Sequence, residues 1–296
     1  MDPLALLSGG LGATRAAVGA TLQDLAGQGP SDPLDRRDPD HIRATLPAYK
    51  AVTDRYFRVK VSGLEEIPTE GPVLLVGNHS GGTLIADTFA FTYAFYEHFG
   101  ADRAFHQLAH DLVFKLPGLS TLSRYGTVPA SHDNGERALD RGAAVLVYPG
   151  GDWETYRPSW HSDRIEFGGR KGFVRLAQAK GVPIVPVVAI GGQETAFFTT
   201  RGERAARLLQ LDKLFRLKVL PVALAPPAGV TVLDLPVRVP LPAQITIRVL
   251  PRIDLDAAAA PDAVYDLVTG RMQAALDDLA AERDLPVVGS VTPRSG

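Results

Sequence analysis

The chain has 296 residues, 45% of them hydrophobic and 22% charged, with a net charge of −2 and no cysteine. This is an ordinary globular composition able to bury a sizeable core, with no overall pull toward nucleic acid. The missing cysteine excludes disulfides, thiolate metal sites and a cysteine nucleophile, and it fits a reducing compartment.

The opening MDPLALLSGGLGATRAAVGATLQDLAG lacks a basic start and a compact apolar core. It reads as a weakly amphipathic helical extension, not a signal peptide. No uncharged apolar run of about 18 residues occurs, so no membrane-spanning helix is expected. Residues 28–40, GQGPSDPLDRRDP, are rich in Gly, Pro and Asp and read as a linker. The expected division is an extension with linker over 1–40 and one domain over 41–296. The domain's motif-bearing core spans 72–194, with a C-terminal strand and helix over 244–285.

Strand-like runs are expected at 72–76, 104–108, 126–128, 143–148 and 183–190. Helix-like segments lie between them at 83–99, 112–125 (broken by Pro117-Gly118), 131–141 (capped by Ser131) and 171–180 (ended by Gly181). Residues 244–250 alternate as a further strand, and 261–283 form a long closing helix. Alternating strands and helices imply an α/β fold with a single, mainly parallel sheet flanked by helices.

Open α/β sheets collect ligands beyond the carboxyl ends of their strands. Two loops lie there: Asn78-His79-Ser80-Gly81-Gly82 and Tyr148-Pro149-Gly150-Gly151-Asp152-Trp153-Glu154. A neutral imidazole at His79 suits a general base, and Asp87 is the nearest carboxylate to orient it. A helix running from Ser80 would carry Asp87 about 12 Å along its axis, too far for a hydrogen bond. The pairing therefore requires Ser80-Gly81-Gly82 to form a loop, with the helix starting near Thr83.

Other chemistries find less support. HSGG is similar to lipase oxyanion loops, but no G-x-S-x-G elbow occurs. His106 and His110, followed by Asp111, have helical i, i+4 spacing, yet no third metal ligand or HExxH motif accompanies them. No Walker A or G-x-G-x-x-G loop is present, so a nucleotide enzyme is not expected.

In chain order, NHSGG…D, RYGTVPAS, VYPGGDWE and GRKGFVRLAQAKGVPIVPV resemble the blocks of the glycerolipid acyltransferase superfamily. The likeness is to its lysophospholipid acyltransferase and diacylglycerol acyltransferase 2-like branches. It implies that His79 is the catalytic histidine and Asp87 its aspartate. The usual block is H-x4-D, and the fifth residue after His79 is instead Leu84. The second block places acceptor-binding residues around Arg124. In the third block, usually F-P-E-G, Gly150 replaces the glutamate, so Asp152 or Glu154 is expected to supply the carboxylate. Asn78, Ser80, Gly81, Gly150 and Gly151 would line the substrate site. Backbone N–H groups around Gly150-Gly151 would face an oxyanion or phosphate, with Arg157, Arg170 and Lys171 as cations able to grip a phosphate.

The resemblance implies transfer of a fatty acyl group from acyl-CoA or acyl-carrier protein to a hydroxyl of a lysophospholipid or related glycerolipid, with no resident cofactor. The alternatives are diacylglycerol as acceptor and a non-catalytic lipid-binding member of the fold. Residues 201–218 hold six basic residues among leucines, which suits an anionic membrane surface. The expected location is therefore cytoplasmic, at the inner face of a membrane. The oligomeric state is left open.

Overall fold

The computed structural model describes residues 31–82, 85–115, 120–161, 163–211, 213, 219–225, 229–232 and 240–283. Seven strands form the main sheet: β1 (Lys60–Ser62), β2 (Val73–Gly77), β3 (Phe105–Ala109), β4 (Thr127–Pro129), β5 (Ala144–Val147), β6 (Ile184–Ile190) and β10 (Thr246–Val249). Their order is β1-β10-β6-β2-β5-β3-β4, and every neighbouring pair is parallel except β10 with β6. A separate antiparallel sheet joins β7 (Phe197–Thr200), β8 (Val222–Ala225) and β9 (Gly229–Val232).

The helices are α1 (Pro39–Ala51), α2 (Ala86–Phe99), α3 (His132–Asp140), α4 (Gly151–Thr155), α5 (Gly172–Lys180), α6 (Glu203–Leu208) and α7 (Pro261–Ala281). They cover both faces of the main sheet. Successive strand residues point to opposite faces. Leu74, Val76, Val145 and Ile184 accordingly pack under α3, α5 and α7 through Leu139, Val174 and Met272. Val73, Leu75, Leu146 and Val185 pack on the other side with Ile42 of α1 and Phe91 and Phe95 of α2. β2, β5 and β6 are buried along their whole lengths, which explains their near-continuous apolar sequences.

Several expectations change. Residues 31–40 do not behave as a free linker. Asp32 caps a short 3₁₀ turn, Asp38 caps α1, and Asp32 pairs with Arg137 and Arg141 of the domain. The expected helix over 112–125 is two 3₁₀ segments, Asp111–Lys115 and Ser120–Tyr125; Pro117 and Gly118 lie outside the described residues, as do Thr83, Leu84 and the whole N-terminal extension to residue 30. The basic segment over 201–218 contributes only α6 as a described helix, and Arg216 and Lys218 fall outside the described residues. β1 and the small sheet were not anticipated, because each strand has three or four residues and such runs carry little periodic signal.

Candidate active site

The site forms where β2 and β5 end side by side. Asn78 leaves β2 and exchanges two hydrogen bonds with Ala189: its Nδ2 donates to the carbonyl at 2.8 Å, and its Oδ1 accepts the N–H at 2.7 Å. The side-chain amide thus extends the pairing of β2 with β6 by one rung. Both ends of the amide are occupied, so Asn78 anchors the loop and its side chain is not presented to a substrate.

Ser80, Gly81 and Gly82 form the loop that the pairing required. Gly81 has φ +95°, and a Cβ there would fall 2.5 Å from the Gly192 carbonyl oxygen, so no other residue fits. α2 begins at Ala86, three residues later than expected. Asp87 therefore lies in its first turn, where negative charge is favoured. Its Oδ2 accepts from the backbone N–H and the hydroxyl of Ser80, each at 3.1 Å, and its Oδ1 accepts from the Thr88 N–H at 2.7 Å.

His79 is buried, and its ring stacks on Tyr148 with centroids 4.1 Å apart. Its Nδ1 lies 3.4 Å from Thr88 Oγ1 and 3.8 Å from Asp87 Oδ1. The loop thus brings the histidine and the aspartate together across seven intervening residues. A direct hydrogen bond between them, expected from the sequence, is not formed at 3.8 Å. The Asp87 oxygens instead accept hydrogen bonds from Ser80 and Thr88. Burial, with the charge of Arg157, lowers the His79 pKa to about 3 and keeps the imidazole neutral. Burial raises Asp87 to about 7, against the hydrogen bonds donated by Ser80 and Thr88.

Of the two carboxylates expected to replace the glutamate missing at Gly150, Glu154 is the one that reaches His79. It is fully buried, and its Oε2 accepts the His79 backbone N–H at 3.0 Å. Its Oε1 accepts the Glu166 N–H at 3.0 Å and lies 3.4 Å from Arg157. Burial raises its pKa to about 7. Asp152 instead pairs with Arg170 at 3.3 Å.

The proposed phosphate-gripping cations have other partners. Arg157 is 2% exposed, paired with Glu154 and bonded to the Arg164 carbonyl, so it is an internal counter-charge and not an open anion site. Arg170 clamps the Pro149 and Gly150 carbonyls at 3.1 and 2.5 Å. Lys171 pairs with Asp262 at the start of α7. Arg124 pairs with Asp38 at the cap of α1, at 2.5 Å. The Gly151 N–H, expected to face an oxyanion, donates to the Tyr148 carbonyl at 3.1 Å. His106 sits in β3 with its Nδ1 3.2 Å from the Gly126 carbonyl.

Three contributors were not read from the sequence: the Tyr148 ring, Thr88, and the turn over Gly192–Thr195. The Gln193 Oε1 lies 3.4 Å from Ser80 Oγ, and the Gly191-Gly192 pair ending β6 was the available signal. Beside the site, an apolar cavity of 290 Å³ runs between α1 and α2, lined by Val52, Phe57, Ala86, Phe89, Ala90 and Pro240 among others. Its residue Ala86 directly precedes Asp87. Most of the aromatic run of α2 is core: Phe91, Phe95 and Tyr96 are buried, and Phe89 reaches the cavity.

A family model described as Acyltransferase matches residues 58–190, which contain both loops of the site. An uncharacterized protein of Mycobacterium tuberculosis is 33% identical over 215 residues, covering 72% of this chain and 57% of that one. A Bos taurus protein named "DGAT1/2-independent enzyme synthesizing storage lipids" is 31% identical over 158 residues, 53% of this chain and 43% of that one. The chain thus spans little more than half the length of the mycobacterial relative. The crystal structure of the 1-acyl-sn-glycerophosphate acyltransferase PlsC from Thermotoga maritima superposes with a TM-score of 0.53, covering 83% of this chain and 84% of that one at 16% identity, a likeness of fold. Residues 58–190, which hold both loops of the site, thus match the Acyltransferase family, and the fold is similar to that of the PlsC structure.

Proposed function

We propose that the protein is an O-acyltransferase that moves a fatty acyl group from a thioester, acyl-CoA or acyl-carrier protein, to a hydroxyl of a glycerolipid. The observation that carries this reading is the placement of a neutral, buried His79 beside Asp87 at the carboxyl end of β2. His79 takes the proton of the acceptor hydroxyl as its oxygen attacks the thioester carbonyl. The tetrahedral oxyanion then collapses, the carbon–sulfur bond breaks, and the imidazolium returns the proton to the leaving thiolate. Asp87 and Thr88 flank Nδ1, which leaves Nε2 for the acceptor. An ionised Asp87 stabilises the transient imidazolium, and the ring has to move by about 1 Å to reach hydrogen-bond distance, a tightening that substrate binding commonly brings. With no cysteine in the chain, the acyl group passes directly to the acceptor without a cysteine intermediate.

The apolar cavity between α1 and α2 suits an acyl chain, and its lining includes Ala86, the residue before Asp87. Among the described residues no helix is long and apolar enough to cross a membrane, and the reading is of a peripheral enzyme. For the acceptor, a lysophospholipid is the first reading. Diacylglycerol, yielding triacylglycerol, is the second; it is in line with the storage-lipid synthesis named for the bovine relative.

Purified protein given an acyl thioester and a panel of lysophospholipids, lysophosphatidate, mono- and diacylglycerol, read by lipid mass spectrometry, tests both points. His79→Ala is expected to abolish transfer with the melting temperature kept. No turnover by the wild type on any acceptor would leave only a lipid-binding role.

A further inference from the structure

The small sheet departs from the usual antiparallel pattern of one face on the core and one polar face in water. Its register pairs Leu224 with Phe197 and with Val230, and Val222 with Val232. These side chains share one face, while Phe198, Ala223 and Thr231 point inward with exposures of 1%, 0% and 1%. The outward face of β8 and β9 is apolar, bordered by Thr200 of β7 opposite Val222, yet Val230 is 64% exposed, Val232 47% and Leu224 44%. Trp160, also exposed, extends it beside Phe197, their ring centroids 6.2 Å apart.

The β7–β8 connection adds positive charge. It starts through α6 and returns where the Leu220 N–H donates to the Arg201 carbonyl at 2.8 Å. α6 buries only Ala206, and exposes Arg204, Arg207 and Leu208; Leu209 and Lys213 follow it, also exposed. Some exposed cations elsewhere are matched by carboxylates, as in Arg43 with Asp40 and Arg141 with Asp35. Among the described residues Arg204, Arg207 and Lys213 have no such partner. Arg201 is different: its guanidinium stacks 4.4 Å from the Trp153 ring centroid and pairs with Glu166, which fastens this sheet to α4 next to Glu154.

We propose that the outer face of β7–β9, with α6 beside it, is a docking surface for an anionic lipid bilayer. Exposed apolar side chains on the sheet, with exposed cations on its β7–β8 connection, match the boundary between acyl chains and anionic headgroups. A second copy fits less well, because a twofold contact opposes each patch to itself and would bring these cations toward one another. The inference rests on this face alone and holds whether or not the chain transfers acyl groups.

Co-sedimentation of the full chain with phosphatidylcholine vesicles, with and without phosphatidylglycerol, tests it. The wild type is expected to bind the anionic vesicles at least about 10-fold more tightly, and to lose affinity as salt rises. Leu224→Ser/Val230→Ser/Val232→Ser and, separately, Arg204→Glu/Arg207→Glu/Lys213→Glu should each weaken binding by roughly 10- to 100-fold, with unchanged melting temperatures. Brominated lipids should quench the emission of Trp160, and Trp160→Phe should remove that quenching. Absence of vesicle binding by the wild type, wild-type binding by both triple variants, or a dimer in light scattering that Val230→Ser dissociates would each overturn the assignment.

Discussion

Gly150 and Glu154 occupy one another's space. A Cβ built on Gly150 would lie 2.4 Å from the Glu154 Cβ and 2.5 Å from its Oε2. The backbone at Gly150, with φ −63° and ψ −31°, suits any residue, so the glycine is there for room. Glu154 reaches back one helical turn into that room and holds the His79 N–H. Gly150→Ala should therefore destabilise by about 1–3 kcal/mol through overpacking. Glu154→Ala should cost about 3–5 kcal/mol, because Arg157 is left buried and uncompensated. An aspartate oxygen lies two bonds beyond Cβ, near the 2.5 Å that separates this Cβ position from Oε2. Because a Cβ at 150 would also meet the Cβ of residue 154 at 2.4 Å, Gly150→Asp/Glu154→Gly should accordingly recover stability and acyl transfer relative to Glu154→Gly alone. Thermal melts and initial rates of the variants check this; equal loss in the double variant would show that the two positions are not interchangeable.

Asp87 sets a pH dependence of activity. Its pKa is raised to about 7 while that of His79 is lowered to about 3, so the base stays neutral across pH 5–8 and the carboxylate ionises as pH rises. The rate should climb through pH 7 as ionised Asp87 becomes available to the imidazolium. Asp87→Asn should lower the rate about 10- to 100-fold and flatten that limb. Rate profiles of the two proteins give the comparison.

The same shift predicts a stability difference. The unfolded carboxyl titrates near 3.8 and the folded one near 7. Between these values the folded state binds more protons than the unfolded, so stability falls as pH rises. Asp87→Asn removes that slope, and its stability relative to the wild type should grow from pH 4 to pH 7 by at most about 1.4 kcal/mol per pH unit. Urea titrations at pH 4, 5.5 and 7 measure it; a constant difference would contradict the assignment. Glu154, also raised to about 7, adds the same sign and is present in both proteins.

The cavity between α1 and α2 should read acyl length. Val52, 48% exposed, lines it. Val52→Trp should narrow it, raising KM for long-chain more than for short-chain acyl thioesters while leaving the melting temperature nearly unchanged. A length series of thioesters decides it, and a uniform change across the series would place the acyl chain elsewhere.

Asn78→Ala should lose two buried hydrogen bonds to Ala189. A cost of about 1–3 kcal/mol is expected, seen as a drop of several degrees in melting temperature together with weakened transfer.

Six of the seven strands of the main sheet, all but β1, and the helices α2, α3, α5 and α7 were legible from local patterns. Buried parallel strands need continuous apolar runs, and helix ends need caps such as Ser131, whose hydroxyl accepts the Asn134 N–H at 3.0 Å. The two glycine-bearing loops at strand ends were legible for the same reason, and with them the position of His79. What tertiary structure alone decided was which groups meet. The sequence does not say that a glutamate four residues on fills the space over Gly150, because that depends on a helix turning back onto the neighbouring strand. Nor does it distinguish Arg157, buried against Glu154, from Arg170, half-exposed and clamping carbonyls. The valines of β9 likewise read as strand residues in any context; only the register with β8 shows that their outer face has been left apolar and uncovered.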